Sequence, residues 1–163
     1  MSTLALVSRT ATATARIPTA PAHAGAAGGV FNPAARAAII AAGDGRCVGC
    51  GRPDVTCQHR RARGMGGTDN LSIGHPANGV PLCGDGVRGC HGWVESHPRE
   101  ARLLGYALEP GESALEAPFF DRNYGWRRWT PDLLLEYVDH ATELDRVEER
   151  YLALATFKAE RDA

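Results

Sequence analysis

The chain has 163 residues, enough for one compact domain with tails and too few for two full-sized ones. Five cysteines without a convincing secretion signal favour metal ligation in a reducing cytoplasm over a disulfide framework, and one of the five must be left over. The formal charge of -1 hides an asymmetry: residues 1–108 carry 11 Arg against 6 acidic residues, and 109–163 carry 7 basic against 13 acidic, so a polyanionic partner is to be sought in the first part.

Residues 1–30 are rich in Ala, Thr and Gly, and their longest apolar run, Leu4 to Val7, is too short for a signal sequence or a membrane span. A disordered tail is expected. With Arg9, Arg16 and Arg36 and no acidic residue before Asp44, a DNA-brushing arm or a transit-peptide-like segment stays open. Asn32 is a natural N-cap and Pro33 a natural first helical residue, so a short Ala-rich helix should run to Ala42 and stop at Gly43.

Residues 54–60 and 79–82 suit two strands joined by a long Gly-rich loop, and a helix should follow from His91 to His97, bending at Pro98. The aromatic segment 106–129 suits irregular strands that cover the core. Thr130-Pro131-Asp132 then predicts the start of a long amphipathic helix over 130–163. Its seam is Leu133, Tyr137, His140, Leu144, Val147, Tyr151 and Leu154, which would pack in cis or pair with a second copy through residues 133–154.

The chemistry concentrates between Cys47 and His97. Cys47 and Cys50 lie two residues apart on a glycine-rich turn, and Cys83 and Cys90 flank the flexible Gly84–Gly89 loop, which predicts a tetrahedral four-Cys structural zinc site. Cys57, alone on a strand, is the core thiol left over. His59 is followed by Arg60, Arg61 and Arg63, a combination suited to phosphodiester cleavage: a neutral imidazole can take a proton from water while guanidinium forks hold phosphate oxygens.

Asn78, just before the second strand, could ligate a hard cation or tie the long loop so that His59 is held in orientation. His91 directly follows a zinc cysteine, which makes it the first choice for a catalytic metal ligand. His97 lies six residues further on, off the i+4 spacing of one helical face, and remains an open second ligand. Glu95 does stand at i+4 from His91, but reads more simply as an exposed helix residue.

Taken together, Cys47-x2-Cys50, Gln58-His59-Arg60-Arg61-Ala62-Arg63-Gly64, Asn78, Leu82-Cys83-Gly84 and Cys90-His91-Gly92-Trp93 resemble the HNH endonucleases, the ββα-metal nucleases. The likeness is greatest to the small versions carried by phages of actinobacteria, and covers residues 31–105. It implies an α+β chain with a ββα-metal core and a four-Cys zinc site. His59 would activate water, Asn78 would be the middle Asn, and His91 would bind one divalent cation, Mg²⁺, Mn²⁺ or Ni²⁺, that polarises the scissile phosphate of DNA. Many such nucleases carry Asp, Glu or His where this chain has Gln58, a neutral and weaker ligand. Three outcomes stay open: Gln58 ligates weakly, His97 or Glu95 supplies the missing ligand, or the chain is a slow enzyme or a non-catalytic zinc-stabilised DNA-binding module. Relatives are associated with terminases, so the terminase large subunit is an expected partner of the acidic C-terminal part, in the host-cell cytoplasm if the chain is phage-encoded.

Overall fold

The computed structural model describes residues 29–64, 68–138, 152 and 155–160. The chain is α+β. The first helix, α1, spans Pro33–Ala42, starting where Asn32 accepts a hydrogen bond from the Ala35 N–H at 2.8 Å and ending at Gly43. Its apolar face, Ala35 and Ile39, packs with Phe31 against the partly buried Cys57.

Strands β1, Val55–His59, and β2, Gly79–Cys83, pair antiparallel with Val55 opposite Cys83 and His59 opposite Gly79. Every residue of β2 is buried, and Pro81, which has no N–H to give, is tolerated because this sheet has only two strands. Side chains alternate along β1, and the alternation decides the site. Cys57 and His59 turn toward α1, while Thr56 and Gln58 reach residues of the helix that follows β2.

That helix, α2, spans Gly89–Ser96, and α3, Pro98–Leu103, follows after the chain turns at His97. The strand, strand, helix order expected from the sequence is the order observed. A second sheet contains β3, Phe119–Asp121, β4, Gly125–Trp129, and β5, Leu135–Tyr137, in that spatial order. Both sheets and α2 contribute to one core, including Val48, Leu82, Trp93, Leu104, Phe119 and Trp129, where each large apolar side chain contributes about 1.5–3 kcal/mol by leaving water.

The helix predicted to start at Thr130 does not start there. The Thr130 N–H and hydroxyl are both hydrogen-bonded to the Leu134 backbone, closing a turn in which Leu133 takes a φ of 57°. Leu135–Tyr137 then joins the open edge of β4, with Arg128 and Glu136 directly opposed as an ion pair. A strand edge satisfies a row of backbone groups at once, and here that outweighs helical periodicity. Residues 155–160 are helical and press Phe157, 1% exposed, into the core. The expected tail up to residue 28 and most of the predicted pairing seam, 139–151 and 153–154, lie outside the described residues. No helix among the described residues is long and apolar enough to cross a membrane.

Candidate functional site

Two backbone turns bring the four cysteines together. In the first, the Gly51 N–H returns to the Cys47 carbonyl at 2.8 Å, and the Val48 N–H ties the turn to β2 through the Pro81 carbonyl. In the second, the chain doubles back so tightly that a Cβ on Gly84 would sit 2.1 Å from the Arg88 oxygen, and one on Gly89 would sit 2.4 Å from the Cys83 oxygen. Only glycine fits either position, and both have positive φ. Asp85 braces this loop by accepting from the Val87 and Arg88 N–H groups.

The sulfurs of Cys47, Cys50, Cys83 and Cys90 all lie within 4.8 Å of one another, and Cys50 and Cys83 are 3.5 Å apart. That is far beyond a bonded pair, at about 2.05 Å. It suits a tetrahedral ion with sulfur ligands at about 2.3 Å, whose edges would be about 3.8 Å. All five cysteines are free thiols. The crowding is electrostatically uneven. Hydrogen bonds from Cys47 and Cys90 hold the Cys50 thiol far below its ordinary range, whereas Cys47 is pushed up to about 12 by its hydrogen bond to Cys50 and by burial. Cys90 is pushed up by its hydrogen bonds to Cys47 and Cys50. A bound cation removes this conflict by favouring all four thiolates, and the donor set could hold a metal ion such as zinc. Cys57 stands apart, half-buried beside α1.

Along β1, lined by residues of both α1 and α2, opens a cleft of about 540 Å³. The residues that matter in its lining are Arg36, Gln58, His59, Arg63, His91 and Glu95. His59 and His91, selected from the sequence, do share one cleft. The His59 ring stacks on Phe31 at 3.9 Å, and its Nε2 is 2.9 Å from the Gly29 carbonyl. A carbonyl can only accept, so Nε2 donates and Nδ1 keeps the basic lone pair. Burial pulls the His59 pKa below its ordinary value, with Arg63 and His91 adding to the effect and the Gly29 bond opposing it. The His91 pKa is lowered too, mainly by burial. Its Nδ1 lies 2.9 Å from the Thr56 hydroxyl, which leaves Nε2 as the nitrogen available to a cation.

Glu95 is an exposed helix residue, as its position suggests, and it also lines this cleft. The Gln58 amide donates to it at 3.3 Å. Two residues of strand advance about 6.7 Å and four of helix advance about 6 Å, so Thr56 and Gln58 meet His91 and Glu95 rung for rung. His97 is elsewhere. Six residues turn a helix by about 600°, off the face of His91, and His97 stacks on Trp93 with its Nε2 3.4 Å from Glu160. It does not complete a cation site with His91.

Three further residues expected at the site have definite places. Asn78, 2% exposed, accepts from the Arg61 N–H and donates to the Arg61 and Ile73 carbonyls, so it ties the loop behind His59 and has no role left as a ligand. Arg60, also 2% exposed, cannot touch DNA: all five guanidinium N–H groups are given to the carbonyls of Ala77, Gly105, Ala114, Ala117 and Pro118. The Arg61 guanidinium donates to the Glu112 carbonyl. Arg63 alone of the three is exposed in the cleft.

Among the described residues, the four cysteines are the only group of three or more His, Cys, Asp or Glu close enough to hold an ion. In the cleft, His91, Glu95 and the Gln58 oxygen offer one imidazole, one carboxylate and one neutral oxygen. No family model, curated protein or solved structure matches the chain.

Proposed function

We propose that the chain is a metal-dependent HNH endonuclease that hydrolyses DNA phosphodiester bonds, by nicking or by cutting both strands, on a scaffold held by structural zinc at Cys47, Cys50, Cys83 and Cys90. The observation that carries the reading is the pairing of His59 and His91 across one basic cleft, each ring fixed through one nitrogen.

In this reading His59 Nδ1 takes a proton from water, the resulting oxygen attacks phosphorus, and the bond to the leaving sugar oxygen breaks. Asn78 and the Gly29 carbonyl position His59 and do not react. His91 and Glu95, with Gln58 as a weak third donor, would hold the divalent cation, Mg²⁺, Mn²⁺ or Ni²⁺. When bound, that cation would polarise the phosphate and stabilise charge on the leaving oxygen. Glu95 thereby supplies the negative charge missing at Gln58.

The test is His59→Ala, which should abolish plasmid cleavage while zinc content and the circular dichroism spectrum persist; unchanged cleavage would sink the reading. The neutral Gln58 and the incomplete set of charged ligands favour one other reading, a zinc-stabilised DNA-binding module without catalysis. Incubating the pure protein with plasmid and Mg²⁺, Mn²⁺ or Ni²⁺, with chelator controls, separates the two, because metal-dependent cleavage excludes the module.

A further inference from the structure

Of the arginines that follow His59 in sequence, Arg60 is spent inside the protein, yet the cleft is still basic. Arg60 gives all five guanidinium N–H groups to backbone carbonyls, and the partly buried Arg61 gives one. Arg63, on the loop after β1, and Arg36, on α1, are both exposed and both line the cleft. Among the described residues, the only acidic side chain in the lining is Glu95, which is engaged with Gln58. Among the described residues, neither Arg36 nor Arg63 forms an ion pair.

We infer that Arg36 and Arg63 form a two-point clamp for neighbouring phosphates of one DNA strand, so that the strand crosses the face of α1 on its way to His59. This rests on the nuclease reading of the cleft and adds to it a binding residue outside the motif segment. The spacing follows from β1. Arg36 is tied to Cys57, whose Sγ lies 3.9 Å from the Arg36 carbonyl, and Arg63 stands near enough to His59 to lower its proton affinity. Cys57 and His59 are successive residues on the same strand face, about 6.7 Å apart. The Arg36 backbone is thus held beside Cys57 and Arg63 lies near His59, so the two arginines approach the cleft from successive positions of the strand that carries the base. Two guanidinium groups facing one cavity repel each other, and an anion lying between them relieves that repulsion.

The experiment uses the full-length, zinc-loaded protein carrying His59→Ala, so that DNA is bound without being cut. Fluorescence anisotropy with a labelled duplex, repeated over a series of NaCl concentrations, gives the slope of log affinity against log salt. Each phosphate contact contributes about 0.9 to that slope. Arg36→Gln should lower its magnitude by about one and weaken binding about fivefold at moderate salt, and adding Arg63→Gln should lower it by about two in all. Arg36→Lys should keep the slope, and Arg61→Gln should leave it unchanged. If Arg36→Gln binds with an unaltered slope while the parent binds well, the clamp is wrong and the cleft reading stands. If the parent shows no salt-dependent DNA binding, the cleft reading falls and the clamp with it.

Discussion

Truncating Arg60 to alanine removes five hydrogen-bond donors from the interior at once. The guanidinium is fully buried, its five N–H groups meet five carbonyls at 2.7–3.3 Å, and it lies over the Phe119 ring at 5.7 Å. Burial pulls its pKa down to about 10, which leaves it charged at neutral pH. A net contribution near 1 kcal/mol per bond gives about 5 kcal/mol, and relief from burying a charge offsets part of it. Arg60→Ala should therefore cost about 4 kcal/mol, a large share of the 5–15 kcal/mol typical of a whole domain. Arg60→Met, which keeps the volume and loses the donors, should cost nearly as much. Arg61→Ala, which loses one guanidinium contact to a carbonyl, should cost about 1 kcal/mol. Equilibrium urea unfolding followed by tryptophan fluorescence, at fixed zinc concentration, measures all three. A loss below about 1 kcal/mol for Arg60→Ala, together with a weakened salt dependence of DNA binding, would refute the buried-anchor argument and return Arg60 to the DNA.

Other consequences are equally direct. Cys83→Ser replaces a thiolate with a poor zinc ligand, so metal content by plasma mass spectrometry should fall well below one ion per chain, with loss of the cooperative unfolding transition. Burial keeps His59 neutral to lower pH than a free imidazole, so the acid limb of the cleavage profile should lie below pH 6.5. Phe31→Ala, which uncovers the ring, should move that limb upward; an unmoved limb would show that the stack does not set the proton affinity. Gln58→Asp places a second carboxylate beside Glu95 and His91, and the Mn²⁺ concentration giving half-maximal cleavage should fall by about tenfold. A rise would mean that the two carboxylates repel each other more than they attract the cation.

What the sequence conveyed well is what depends on neighbours in the chain. The cysteine turns, the Asn32-Pro33 helix start and the two strands around the loop are all set by local chemistry, and each stands within a residue or two of its expected position. The roles of the arginines were less accessible, because Arg60, Arg61 and Arg63 are chemically alike and only tertiary structure distinguishes them. One signal was available: Arg60 has the same parity as Thr56 and Gln58, the side of β1 that turns away from α1. Glu95 was visible as an i+4 partner of His91, but its meaning needed Gln58 opposite. The helix expected at Thr130 failed for a nonlocal reason, since the free edge of β4 is contributed by residues earlier in the chain.

Phe157 seals the cysteine cluster from far along the chain: a Cβ on Gly49 would lie 2.7 Å from its ring. Glu160 accepts from the Trp93 indole across 67 residues of sequence. During synthesis at about 5–20 residues per second, the four thiols therefore leave the ribosome several seconds before their cover. The order of emergence gives the nascent protein an interval in which an ion can enter from solvent, and the helical turn that carries Phe157 then closes behind it.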